Sequence, residues 1–223
     1  MFPLYDTARS RSFPVVNWSL IAVNVLVFLY ELQLSASGLQ GFIKTWGLVP
    51  ARLLAQPAAA WVTIFAAVFL HGGWFHILSN MWVLFIFGDN VEDRMGPGGY
   101  LVFYLLSGVA AGLLQAFVLP TSTQPMVGAS GAIAGVLGAY LILFPGARVA
   151  SLVPILFIFT IIEIPALVFL LFWFVTQLFS GLMSLNGASG GGSGIAWWAH
   201  VGGFLFGMLG SQLFARRPGY RTW

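Results

Sequence analysis

The chain reads as an all-α membrane protein, a bundle of six transmembrane helices. Of its 223 residues, 59% are hydrophobic and only 7% are charged, against roughly 25% charged in a soluble domain. The hydrophobic residues gather in runs that approach or exceed the ~20 a helix needs to cross a bilayer. Arginines flank both ends, Arg9 and Arg11 before the first run and Arg216, Arg217 and Arg221 after the last. Basic residues favour the cytoplasmic side, so both termini are expected there and the number of spans must be even.

The first span covers about residues 15–34. It is longer than a signal-peptide core and is expected to stay in the mature chain. A long connection with Lys44, Arg52 and several Trp and Pro residues follows. Its mixed character suits the membrane interface, where Trp concentrates. The second span runs from about Trp61 or His71 to Gly88. Asp89, Glu92, Asp93 and Arg94 then read as a hydrophilic turn, closed by Gly96-Pro97-Gly98. The third span, about 100–119, stops at Pro120, and the fourth, about 129–144, stops at Pro145-Gly146. Residues 149–185 are too many for one helix and include Pro154, Glu163 and Pro165. Residues 149–162 are therefore predicted as an interfacial or re-entrant lead-in, with the fifth span beginning near Glu163. A Gly/Ser loop at 186–194 leads to the sixth span, about 195–214. This divides the chain into a cytoplasmic segment 1–14, a membrane domain 15–215 and a short cytoplasmic tail 216–223.

Composition narrows the function. Nine scattered Lys and Arg cannot assemble a basic face, so nucleic acid is not an expected partner, whereas a lipid bilayer is. The absence of cysteine removes a thiol nucleophile, a cysteine metal site and any disulfide. Gly108/Gly112, Gly131/Gly135 and Gly203/Gly207 are small-residue pairs one turn apart on the third, fourth and sixth spans. They allow close backbone approach and predict tight packing of these helices.

Ser130 opens an apolar helix in Gly128-Ala129-Ser130-Gly131. An unsatisfied hydroxyl in hydrocarbon costs several kcal/mol, roughly, so it is either bonded or used. His200 opens another such helix. At ~1.5 Å per residue, Ser130 lies ~27 Å above Arg148 and His200 ~24 Å above Arg216, so the two share a depth beneath the outer boundary. The same four letters recur at Gly187-Ala188-Ser189-Gly190. Ser189 lies in a Gly/Ser loop without the rigid support a catalytic group needs. His71 and His76, in His-Gly-Gly-Trp-Phe-His, and Asn80 one turn beyond, complete the outer polar set. Their spacing is not that of a helical zinc pair and no Glu stands beside them, so neither metal nor cofactor is expected. His76 and Asn80 suit instead the role of donors to a developing anion. Asp6, Asp89, Glu92 and Asp93 fall inside and Glu163 near the inner end, leaving Glu31 alone toward the outside. A Ser-His dyad is expected rather than a triad.

These residues resemble the rhomboid family of intramembrane serine proteases. The resemblance rests on His71-Gly-Gly-Trp-Phe-His76-Ile-Leu-Ser-Asn80, Gly128-Ala-Ser130-Gly131 and Ala199-His200-Val-Gly-Gly203, in that order. It implies a six-helix bundle with Ser130 as nucleophile and His200 as general base and then acid. It also implies an oxyanion hole from His76, Asn80 and the Ser130 backbone N–H, shaped by Gly128. His71, Gly131 and Gly203 are implied as supporting residues. Some members carry an aromatic residue four positions after the serine, packed on the histidine; here that position is Ala134, and Trp197 or Trp198 is expected to orient His200 instead. The implied substrates are transmembrane segments of membrane proteins, in a bacterial inner membrane. The loop 186–194 is expected as a lid and the Phe-rich fifth span (Phe169, Phe172, Trp173, Phe174) as a lateral entrance. A catalytically silent relative that binds transmembrane helices is the alternative. A transporter would spread polar residues along a path through the bilayer rather than gather them at one end.

Overall fold

Proline and glycine set the helix boundaries. The computed structural model describes residues 1–155, 158–185 and 195–216. A short strand β1 (Phe2–Asp6) precedes α1 (Val15–Glu31). The long connection folds into α2 (Ala36–Trp46), α3 (Pro50–Ala55), α4 (Pro57–Ala60), α5 (Val62–Ala66) and a 3-10 turn at Ala67–Phe69. Then come α6 (Trp74–Met95), α7 (Pro97–Val118) and α8 (Ser130–Leu143). Strands β2 (Arg148–Ile155) and β3 (Ile158–Pro165) lead to α9 (Ala166–Leu185), and α10 (Trp197–Phe214) ends the described chain. Pro50, Pro57 and Pro97 open their helices, where a missing N–H leaves no ladder bond unmade.

The centre is α8. Every residue from Gly131 to Leu141 is buried, as expected of a helix apolar on all sides. Its glycines admit α10 at backbone distance. A Cβ at Gly203 would overlap the Gly131 carbonyl oxygen, and one at Gly207 would overlap that of Gly135. From the other side, a Cβ at Gly138 would strike the Phe204 carbonyl. The α7 face contributes Ser107, which fills the space beside Gly135. The pairs on α8 and α10 thus act as the sequence predicts, holding the elements that carry Ser130 and His200 against each other, whereas Gly108 and Gly112 on α7 make room for Val68 and Leu48.

Two readings from the sequence are corrected. First, the fold is not all helix. β1, β2 and β3 form an antiparallel sheet in that order, with Phe2 opposite Leu152 and Ser151 opposite Ile162. The described residues of 149–162 are therefore strand rather than an interfacial or re-entrant lead-in, and the helix begins at Ala166, after Pro165. The physical reason is composition. Val149, Val153, Ile155, Ile158, Thr160, Ile161, Ile162 and Ile164 are β-branched and favour a pleated backbone. Second, Asp89, Glu92, Asp93 and Arg94 do not form a turn; they continue α6 to Met95. Glu92 accepts the N–H groups of Val16 at 3.0 Å and Asn17 at 2.7 Å. Its carboxylate thereby satisfies the free donors at the start of α1, where negative charge is favourable. Tyr100 donates to Asn17 Oδ1 at 2.8 Å, tying α7 to the same point.

By length and hydropathy, α7 and α9 are each able to cross a membrane. Pro57–Phe69 together with α6 makes a third candidate, bent by 80°. The apolar helices α1 and α8 are shorter, at 17 and 14 residues. The six-span count is thus not reached on composition alone among the described residues. The α10 helix carries His200, Ser211, Gln212 and four glycines, which lower its hydropathy. Its outer face is nonetheless greasy, with Leu209 81% and Leu213 86% exposed.

Candidate active site

Ser130 stands at the first turn of α8, and the chain reaches it through a turn that only glycine makes easily. Gly128 has φ +122°, in the region side chains avoid. Its N–H is anchored on the Ala67 carbonyl at 2.8 Å. His200 stands in the first turn of α10, whose start is held by Gln115 Oε1, which accepts the Ala199 N–H at 3.1 Å. These two helix starts meet. Ser130 Oγ lies 2.8 Å from His200 Nε2, across 70 residues of sequence. The imidazole is 9% exposed, the serine half-buried.

The other ring nitrogen is also engaged. His200 Nδ1 lies 2.8 Å from Gln177 Oε1, on α9. Trp173, one turn earlier on α9, lies alongside the imidazole with centroids 5.9 Å apart and planes at 35°. Trp197 meets the ring edge-on at 6.1 Å. Trp198 lies instead against Gly181, where a Cβ would come 3.2 Å from its Cε2. Ala134 is a fully buried methyl and offers no ring to stack on the imidazole.

Opposite, His76 and Asn80 face Gly128. A Cβ built on Gly128 would lie 2.6 Å from His76 Nε2 and 3.7 Å from Asn80 Nδ2. His76 Nδ1 accepts the Gly72 N–H at 3.4 Å. The proton of the neutral ring therefore belongs on Nε2, the atom turned toward Gly128. Asn80 is 6% exposed, and its Nδ2 has no partner among the described residues. Such a donor is available to a group placed beside Gly128. Beneath Ser130 lies a narrow cavity lined by Val68, Gly108, Met126, Gly128 and Ala199.

His71 sits one layer back. Its N–H donates to both Glu31 carboxylate oxygens at 3.2 Å. Its ring packs edge-on against His76 at 5.1 Å. Glu31 is only 2% exposed; the one carboxylate expected toward the outside is a buried tether for the loop before α6. Gly131 and Gly203 lie at the α8–α10 crossing just behind Ser130. Two residues of this region carry no motif signal, Gln115 and Gln177. What marks them in the sequence is that each is a lone amide in an otherwise apolar run, which is a reason to suspect function. The loop 186–194, with Ser189 and the expected lid, lies outside the described residues, as do Arg217 and Arg221.

Comparison with known proteins identifies the family. The Rhomboid domain family matches residues 58–217. The chain belongs to the rhomboid family. Similar curated proteins include Rhomboid-like protein 11, chloroplastic, of Arabidopsis thaliana, 43% identical over 76 residues, covering 34% of this chain and 27% of that protein. Rhomboid protein 1, mitochondrial, of Saccharomyces cerevisiae is 28% identical over 150 residues, covering 65% and 39%. Rhomboid protease GluP of Bacillus subtilis is 33% identical over 129 residues, covering 57% and 24%. The chain therefore spans between 24% and 39% of the length of these relatives. Family and apolar helices together make it a membrane protein, in a family that includes intramembrane serine proteases.

Proposed function

We propose that this protein is an intramembrane serine endopeptidase that cuts a peptide bond in or beside a transmembrane segment of other membrane proteins. The observation that carries the reading is the 2.8 Å contact between Ser130 Oγ and His200 Nε2. Nε2 takes the hydroxyl proton as Oγ attacks the scissile carbonyl carbon, and a tetrahedral oxyanion forms. The Ser130 N–H, His76 Nε2–H and Asn80 Nδ2 are the donors that receive the oxyanion. Such preorganised donors commonly contribute ~3 kcal/mol each to the transition state. His200 then returns the proton to the leaving amine, giving an acyl-enzyme. Water, deprotonated by the same nitrogen, releases the second product.

Substrates need helix-breaking Gly or Pro near the cut, because a helical backbone is shielded by its own hydrogen bonds. The bundle has six spans with both ends cytoplasmic, in a bacterial inner membrane, and the site opens toward the outer side. Arg9, Arg11 and Arg216 near the chain ends support that orientation.

The test is cleavage of a model transmembrane substrate by purified protein, with fluorophosphonate labelling in parallel. Wild type should cleave and label; Ser130→Ala should do neither, and His200→Ala should lose cleavage. Cleavage surviving Ser130→Ala would reject the reading. A wild type that binds the substrate helix but neither cleaves nor labels would point to a silent helix-binding relative.

A further inference from the structure

A chain of hydrogen bonds behind His200 starts from the backbone of α9 and ends at the imidazole. We infer that Gln177 is the positioning residue of the general base, holding its tautomer and its plane toward Ser130. The inference rests on the Ser130–His200 reading above.

The argument begins with protons. For Ser130 Oγ to give up its proton, His200 Nε2 must be bare. A neutral imidazole carries one proton, so that proton belongs on Nδ1. Gln177 Oε1, 2.8 Å from Nδ1, can only accept. A carboxamide can be turned either way, and here its other end decides. Gln177 Nε2 donates to the Trp173 carbonyl at 3.4 Å and to Thr176 Oγ1 at 3.1 Å. Thr176 spends its own proton on the same carbonyl, at 2.6 Å, so its oxygen faces the amide with a lone pair. Turning the amide over would set a donor against Nδ1–H and an oxygen against a carbonyl. Both arrangements repel.

Water has little access to compete. Gln177 is 7% exposed and His200 9%. The buried residues of α9 are Ala166, Phe169, Leu170, Gln177 and Gly181, and Gln177 is the polar one. Trp173 covers one side of the ring, so the tryptophan fixes the plane and the amide fixes the rotation within it. An amide does this without adding the charge that a carboxylate would contribute to an imidazolium.

The experiment uses the full chain in liposomes, a model transmembrane substrate and fluorophosphonate labelling, with Gln177→Leu and Gln177→Glu beside wild type. Leucine keeps much of the volume and removes the acceptor. It should lower kcat and the labelling rate about 10- to 100-fold, with KM within about twofold; because the stranded Nδ1–H also costs some stability, rates are compared well below the melting temperature of every variant. Glutamate restores an acceptor. With Thr176 turning its hydroxyl from the Trp173 carbonyl to the second carboxylate oxygen, it should recover much of kcat, and the acid limb of its kcat/KM profile should move upward by about one pH unit, because an anion beside the ring favours its protonated form. Wild-type kcat in Gln177→Leu would overturn the assignment. So would a glutamate variant with an unmoved profile, or losses in both variants that follow a lowered melting temperature. A wild type that neither cleaves nor labels sinks the catalytic reading itself and takes this inference with it.

Discussion

The His76 imidazole occupies the space a side chain at Gly128 would need. A Cβ there would lie 2.6 Å from both Cε1 and Nε2 of the ring, on a backbone whose φ of +122° already disfavours one. Gly128→Ala should therefore push His76 away from the serine turn. The expected loss is about 100-fold in kcat or more, with local strain of about 1–3 kcal/mol. Cleavage kinetics on folded, detergent-purified variant would check it; a rate near wild type would remove Gly128 and His76 from the oxyanion site together.

Asn80 is the donor whose Nδ2 has no partner among the described residues. If that nitrogen receives the oxyanion, Asn80→Ala should lower kcat by about 10²- to 10³-fold while KM stays near wild type. Because no hydrogen bond to the described residues is lost, its removal should cost little folding stability. A thermal melt beside the kinetics separates this from a packing residue, for which both would fall.

How much of this was readable in advance depends on distance along the chain. Ser130 and His200 stand out because a hydroxyl and an imidazole inside apolar runs have no cheap alternative use. Their meeting follows from glycines on the same helices, Gly131 and Gly203, which carry the close approach. Gln177 escaped because its partner lies 23 residues away and an amide in a Phe-rich helix forms no local pattern. Glu92 was misread for a similar reason. Four charged residues before Gly96-Pro97 look like a turn until α1, 75 residues earlier, supplies the N–H groups they face. The strands were missed because a hydropathy window scores Ile and Val alike in helix and sheet. Eight β-branched residues between Val149 and Ile164 carried the distinction, and hydropathy is blind to it.

The α8–α10 crossing gives a prediction that separates stability from catalysis. At Gly207 a Cβ would overlap the Gly135 carbonyl, whereas at Gly210, one turn further around, the nearest atom is Phe206 Cζ at 3.7 Å. Gly207→Ala should destabilise by about 1–3 kcal/mol, and Gly210→Ala should be neutral or slightly stabilising, since alanine is the better helix former. Unfolding in graded denaturing detergent would rank them. Equal stability of the two variants would mean the helices can separate at no cost, contrary to the packing described.

Glu92 should matter for folding rather than for chemistry. It is 2% exposed and receives two N–H groups from the start of α1. Glu92→Ala leaves those donors buried without partners, a loss of about 2 kcal/mol, and Glu92→Gln, which retains one acceptor oxygen, should lose about half as much. Wild-type kcat is expected in both once the protein is folded. A kcat effect without a stability effect would contradict this assignment.

Asp6 sets the pH dependence of the sheet's attachment. Burial raises its carboxyl from 3.8 to about 6, the hydrogen bond from Tyr140 opposes the rise, and the charge of Asp89 adds to it. Asn90 Nδ2 also donates to it, at 3.0 Å. The folded protein thus holds a proton that the unfolded chain has released between about pH 4 and pH 6. The contribution of Asp6 to stability must fall as pH rises through that window and level off above it. Asp6→Asn keeps an acceptor for Tyr140 and removes the titration. It should flatten this part of the profile and raise the melting temperature above pH 6, where the wild-type carboxylate is buried with its charge. Melting curves of both proteins at pH 5 and pH 7.5 decide the matter: the gain of Asp6→Asn over wild type should be larger at pH 7.5, and a difference between the two that does not change with pH would show that Asp6 carries no such cost.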